Sequence, residues 1–183
     1  MINFLTKLLK NEHFSAIING KQIHLIATKR IMEENQMENY SALDVAKYII
    51  SKCTQDGCSI SNLQLQKILY FCQGEFYKNH NIPLFKDDIE AWQYGPVIPK
   101  VYDRYCAYGA SKIYEKNLAS ILKDPDKEEL DPIIEKYRSM KIWDLVDETH
   151  KVGTPWAEVY KDNEINQIIP KDMIKNYFSN EAC

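Results

Sequence analysis

A chain of 183 residues that is 45% hydrophobic suits one domain and has enough apolar side chains to fill a core. Its net charge of −3 excludes a global basic field that would draw in nucleic acid. No apolar run reaches the roughly 18 residues needed to cross a bilayer, and MINFLTKLLK lacks the small-residue cleavage site of a secretory signal, so a cytoplasmic location is expected.

Residues 1–36 read as a separate extension. They carry five basic residues (Lys7, Lys10, Lys21, Lys29 and Arg30) against three acidic ones, net +2, which leaves −5 for residues 37–183. Within them SAIINGKQIHLIA has β-rich arms around Asn19-Gly20, the strongest short-range hairpin signal. ATKRIMEENQ follows as a charged helix or linker, and Met37 stands as an alternative initiator.

From Ser41 the helical period takes over. Ser41 with Asp44 forms a capping box ahead of Val45, Ala46, Ile49, Ile50 and Cys53, and Gln55-Asp56-Gly57 stops that helix. Ser61 with Gln64 repeats the signal. The helix that follows carries Leu65, Ile68, Leu69, Cys72 and Phe76 on one face, with Tyr70, Phe71 and Tyr77 elsewhere. Apolar surface on more than one side marks it as the centre of the fold. After Asn81 the chain is broken by Pro83 and Gly95-Pro96, with a short strand expected near Ile89–Trp92. Pro99 suits the first turn of a helix bearing Val101, Tyr102 and Tyr105. Asp131-Pro132 reads as an N-cap and first turn opening DPIIEKYRSMKIWDLVDETH, broken near Ser139, with Ile133, Ile134, Tyr137, Trp143, Leu145 and Val146 on its apolar face. A last helix starts at Pro170 and carries Met173, Ile174, Tyr177 and Phe178. The expected fold is mainly α: a compact helical domain over 37–183 of about five to seven helices, with a short β-hairpin at the N-terminus.

SALDVAKYII, ISNLQLQKILYFCQGEFY, IPLFKDDIEAWQYGPVIPKVYDRY and THKVGTPW occur here in one order, from about Tyr40 to Phe178. Together they resemble the Panacea antitoxin domain, a bacterial and phage family that includes the Soc-type proteolytic-adaptor antitoxins. The resemblance implies a mostly helical module that neutralises a cognate toxin by binding it, without a family-wide enzymatic activity. A relative that delivers the toxin to a cytoplasmic protease, or a phage protein that blocks a host defence, would use the same binding logic. Residues 1–36 fall outside the resemblance. Lys151-Val152-Gly153 fill a segment of variable spacing between Thr149-His150 and Pro155-Trp156.

WQYGPVIPKVY concentrates the candidate site. Pro96 and Pro99 fix φ, and Gly95 takes backbone angles that other residues avoid. The turn therefore either holds Trp92, Tyr94 and Tyr102 out as anchors for a partner or buries them against the 65–76 helix. Asp87, Asp88 and Glu90 read as a solvated acidic loop or as an electrostatic docking edge for a basic toxin. Their spacing is not that of a calcium loop, and no His-x-x-x-His or C-x-x-C pair exists, so no metal is expected. His150 with Cys72 as base and nucleophile, or with the acidic loop, is the hydrolase or nuclease alternative. Against it stands a histidine that caps its helix or is hydrogen-bonded in the core. Thr149 precedes it, and Thr154 is expected to cap a turn opening at Pro155 with Trp156 packed beneath. GxxxxGK[ST], GxGxxG and GxSxG are all missing, so no cofactor is expected. The five cysteines read as buried thiols of a reducing compartment. Nucleic-acid contact is confined to operator binding through the basic residues of 1–36.

Overall fold

In the computed structural model, two serine capping boxes start the first two helices of the body. Ser41 Oγ accepts from Asp44 N at 3.2 Å while Ser41 N donates to Asp44 at 3.3 Å, opening α1 (Ala42–Gln55). Ser61 and Gln64 repeat the exchange at 3.4 and 3.2 Å, opening α2 (Asn62–His80). Each box satisfies two backbone N–H groups that have no partner inside the helix. The structure describes residues 16–18, 21–23, 40–115, 118–162, 164–165 and 167–180.

Contacts divide the chain into residues 1–38 and residues 39–183. In the first unit β1 (Ala16–Ile18) and β2 (Lys21–Ile23) pair antiparallel, with Ile18 opposite Lys21. The Asn19-Gly20 turn, the 24–36 linker and Met37 lie outside the described residues. The larger sheet lies in the second unit, which corrects the expectation that β-structure would be confined to an N-terminal hairpin and a short strand near Ile89–Trp92. Its strands are β3 (Glu90–Trp92), β4 (Gly95–Val97) and β5 (Gln167–Ile168), antiparallel in the order β4-β3-β5. The two residues of β5 come from a stretch with no strand signal of its own. They are held by pairing Glu90 with Ile168 and Ala91 with Gln167.

Seven helices stand among the described residues. They are α1, α2, α3 (Pro99–Tyr105), α4 (Asp124–Arg138), α5 (Ile142–His150), α6 (Pro155–Val159) and α7 (Lys171–Asn180). As expected, α2 is central: α1, α3, α4, α5, α7 and β4 all pack on it. Each fully buried aliphatic side chain such as Ile49, Leu65 or Ile68 contributes roughly 1.5–3 kcal/mol of transfer free energy. Gly74 admits α7, because a Cβ there would lie 2.3 Å from the Phe178 ring. Phe71 stacks on Tyr137 of α4 at 3.8 Å, and Tyr70 meets Phe178 edge-on at 5.6 Å.

Burial on most sides forces α2 to satisfy its polar residues internally, and it does so with the backbone of the connection and of α3. Gln73 donates to Phe85 O and accepts from Phe85 N, both at 3.1 Å. Gln66 accepts from Ile98 N at 2.9 Å, and Asn62 donates to Tyr102 O at 3.2 Å. The irregular connection from Asn81 to Pro99 thus takes its shape from the helix beneath it.

The start of α4 departs from expectation. The helix begins one Asp-Pro pair earlier, with Pro125 in its first turn, and runs through Pro132. Leu130, Ile134 and Tyr137 bury one face, and that packing outweighs the backbone bond lost at Pro132. Asp131 is therefore no cap. It accepts from Tyr48 at 2.5 Å and pairs with Lys52 at 3.3 Å, joining α4 to α1. Trp143, expected on the apolar face of the 131–150 segment, is instead 59% exposed.

Candidate partner-binding site

The β3–β4 hairpin has an inner and an outer side. Gln93 and Tyr94 make its turn, and Gly95 closes it with φ 100°, opposite Trp92 in the ladder. A Cβ on Gly95 would sit 2.6 Å from Thr149 Oγ1 and 2.7 Å from Lys67 Cε, so only glycine fits there.

Lys67 of α2 is fully buried and donates its amine to Pro96 O at 2.9 Å. Burial without a carboxylate partner lowers its pKa to about 7, since desolvation disfavours the charged form. Trp156, at the start of α6, donates from Nε1 to Trp92 O at 2.8 Å. Its ring stacks on His150 at 3.6 Å and on Tyr160 at 4.6 Å. Thr154 caps α6 by accepting from Ala157 N at 3.2 Å, with Pro155 in the first turn, as the sequence suggests. Its hydroxyl also donates to Thr149 O at 2.8 Å, and Thr149 donates to Val146 O at 2.8 Å. Residues 149–156 therefore close into a loop that holds the hairpin from beneath.

Among the described residues the Nε2 of His150 is buried without a hydrogen-bond partner, and its ring serves as a stacking face. Burial, with the nearby Lys67, lowers its pKa and keeps the imidazole neutral. Cys72 is fully buried, and desolvation pushes its thiol well above its ordinary range, so it presents no thiolate for attack.

The outer side is different. Tyr94 is 51% exposed and meets Trp143 of α5 with ring centroids 6.1 Å apart at 67°. Trp92 is half-buried, donates to Glu90 at 2.8 Å and meets Tyr102 edge-on at 4.8 Å. Tyr102 faces solvent on α3, whose first turn holds Pro99.

The acidic loop is largely engaged within the fold. Asp87 accepts from Ala42 N, at the N-terminus of α1, at 2.8 Å and pairs with Lys100 at 3.2 Å. Asp88 pairs with Lys171 at 3.1 Å. These residues line an open groove with Lys86, Pro99 and Ile168. Among the described residues no group of three His, Cys, Asp or Glu side chains is arranged to hold a metal ion. No helix among them is long and apolar enough to cross a membrane.

Gln66, Lys67 and Gln73 escaped the sequence reading, as did the exposure of Trp143. Their signal was present as polar residues inside a helix that is otherwise apolar all round.

The model of the family described as Antitoxin SocA-like, Panacea domain matches residues 65–157. The chain belongs to this family. Its match begins inside α2 at Leu65 and ends just after Trp156, so it takes in Lys67, the hairpin and the 149–156 loop that meet at Gly95 and Pro96. The chain is also 32% identical over 131 residues to Antitoxin SocA of Caulobacter vibrioides (strain NA1000 / CB15N), an alignment covering 65% of this chain and 70% of that protein. No solved structure matches. At the clamped hairpin this Panacea domain presents an aromatic surface to solvent.

Proposed function

We propose that this chain is the antitoxin of a toxin–antitoxin pair and neutralises its cognate toxin by direct protein–protein binding. Membership of the SocA-like Panacea family and similarity to a protein named as an antitoxin support the class. The observation that carries direct binding is the hairpin itself, held rigidly at Pro96 O and Trp92 O while Tyr94 stays in solvent. An aromatic ring already fixed in place loses little entropy when a partner closes over it. Stoichiometric neutralisation calls for a dissociation constant near nanomolar, about −12 kcal/mol, which a patch of roughly 800 Å² per partner can supply.

Within this reading Trp92, Tyr94, Gly95, Pro96, Pro99 and Tyr102 form or support the docking surface, with Asp87 and Asp88 shaping its neighbouring loop. Thr149, His150, Pro155 and Trp156 are its scaffold. No catalytic role is assigned to His150, whose ring is occupied by stacking, or to the buried Cys72.

The test is co-expression with the product of the adjacent reading frame. That product is expected to arrest growth alone and to be harmless with this chain, and the two are expected to co-purify. Rescue without any physical complex would overturn direct binding. The division of the chain into two units favours a second reading, an adaptor that holds the toxin with one unit and engages a cytoplasmic protease with the other. A toxin half-life shortened by this chain in a protease-competent cell selects the adaptor, and an unchanged half-life selects simple sequestration.

A further inference from the structure

Tyr94 and Trp143 come from elements far apart in sequence, yet their rings meet at 6.1 Å while both stay more than half exposed. Two large apolar rings brought together in water at a rigid turn are not explained by packing, because neither is covered. Around Trp143 the helix carries the exposed Lys141 at its N-cap and two carboxylates after it. Asp147 lies one helical turn after Trp143 on α5, on the same face, and Asp144 directly follows it. Both carboxylates are exposed, and among the described residues neither has an ion pair or hydrogen bond, although the Asp147 charge acts on His150. Asp144 also sits in the first turn of α5, where negative charge favours the helix N-terminus; Asp147 has no such duty. By contrast Glu148, on the neighbouring face, is paired with Lys151 at 2.6 Å.

We infer that the Tyr94–Trp143 pair, with Asp144 and Asp147 on the same helix as Trp143, receives a Lys or Arg side chain presented between apolar residues on a protein partner. The ring faces attract a cation, the carboxylates supply its counter-charge, and the ring edges accept the flanking apolar groups. The inference rests on the antitoxin reading for the partner's identity, and it adds the chemistry of the segment that the toxin must offer.

The probe is a short capped peptide of alternating Leu and Arg, compared with its counterpart carrying Glu in place of Arg. Binding is followed by tryptophan fluorescence and peptide anisotropy at low and at high salt. The basic peptide is expected to bind and the acidic one not to, with affinity falling as salt screens the carboxylates. Trp143→Ala is expected to weaken binding roughly tenfold and Asp147→Asn roughly threefold. Both positions tested are at the surface, and far-UV circular dichroism checks that each variant keeps its helices. Equal binding of the two peptides overturns the inference, as does an affinity left unchanged by either substitution. The co-expression assay separates this from the broader reading. A wild-type chain that fails to rescue growth removes the antitoxin assignment and leaves the peptides to decide the surface. Rescue that survives Trp143→Ala undiminished removes the basic-segment surface and leaves the antitoxin assignment standing.

Discussion

The two sides of the β3–β4 hairpin carry similar residues and opposite duties. On the inner side Gly95, Pro96, Lys67, Thr149 and Trp156 are buried, and each is committed to a neighbour at contact distance. On the outer side Tyr94 and Trp143 are the same kinds of aromatic as Trp156, yet they face water. The difference teaches that aromatic content by itself does not mark an interface. A ring whose polar atom and both faces are used inside the fold is architecture, and a ring held in place but left uncovered is available to a partner.

This contrast breaks most severely at Trp156. Trp156→Ala removes the stack on His150 and the bond to Trp92 O, and is expected to cost about 3–5 kcal/mol in urea unfolding. Next comes Gly95→Ala, which forces a Cβ into Thr149 and Lys67 at a positive φ. A loss of about 2–4 kcal/mol is expected, read as a lower unfolding midpoint at an unchanged slope.

A pH measurement sharpens the inner side. With a folded pKa of about 7 against roughly 10.4 unfolded, Lys67 binds fewer protons folded than unfolded between those values. The Lys67 contribution to stability therefore rises with pH across that window and is flat below it. Between pH 7 and 8.5 the gain is expected to be up to about 1.5 kcal/mol, and Lys67→Met is expected to abolish it. A wild-type profile indistinguishable from that of the variant would show that the amine is not held neutral. His150 works at the other end: its lowered pKa makes stability fall as pH drops below 6.5.

Asp87→Asn comes next, removing the charge at the α1 N-terminus and the pair with Lys100, with an expected cost of about 1 kcal/mol by thermal melting. Such a loss distinguishes an acidic residue engaged in the fold from one kept free for docking. The smallest effect on stability belongs to Tyr94→Ala, within about 0.5 kcal/mol. The same substitution is expected to weaken toxin binding by at least about 2 kcal/mol in calorimetry. Unfolding by Tyr94→Ala, or binding left intact, would erase the distinction between the two sides.

The residues that sequence reading placed well are those governed by near neighbours. Ser41 with Asp44, Ser61 with Gln64, and Thr154 with Ala157 each act across three positions, and the buried faces of α1 and α2 follow from helical period. The stiffness of the Gly95-Pro96 corner and the family resemblance were legible for the same reason, since both reside in contiguous motifs. Local chemistry alone also suggested a helix opening at Asp131-Pro132, where distant packing decided otherwise.

Tertiary structure decided the rest. Lys67 reaches Pro96 across 29 positions, Trp156 reaches Trp92 across 64, and Ala42 reaches Asp87 across 45. Whether an aromatic ring or a carboxylate is used up inside the fold depends on such distant partners, which helical period and capping rules do not register. The chain's order of residues set the helices, their caps and the rigid corner. Three-dimensional closure then determined that Trp156 supports the corner and that Tyr94 and Trp143 remain open to solvent, because burial is settled by what the rest of the chain brings alongside.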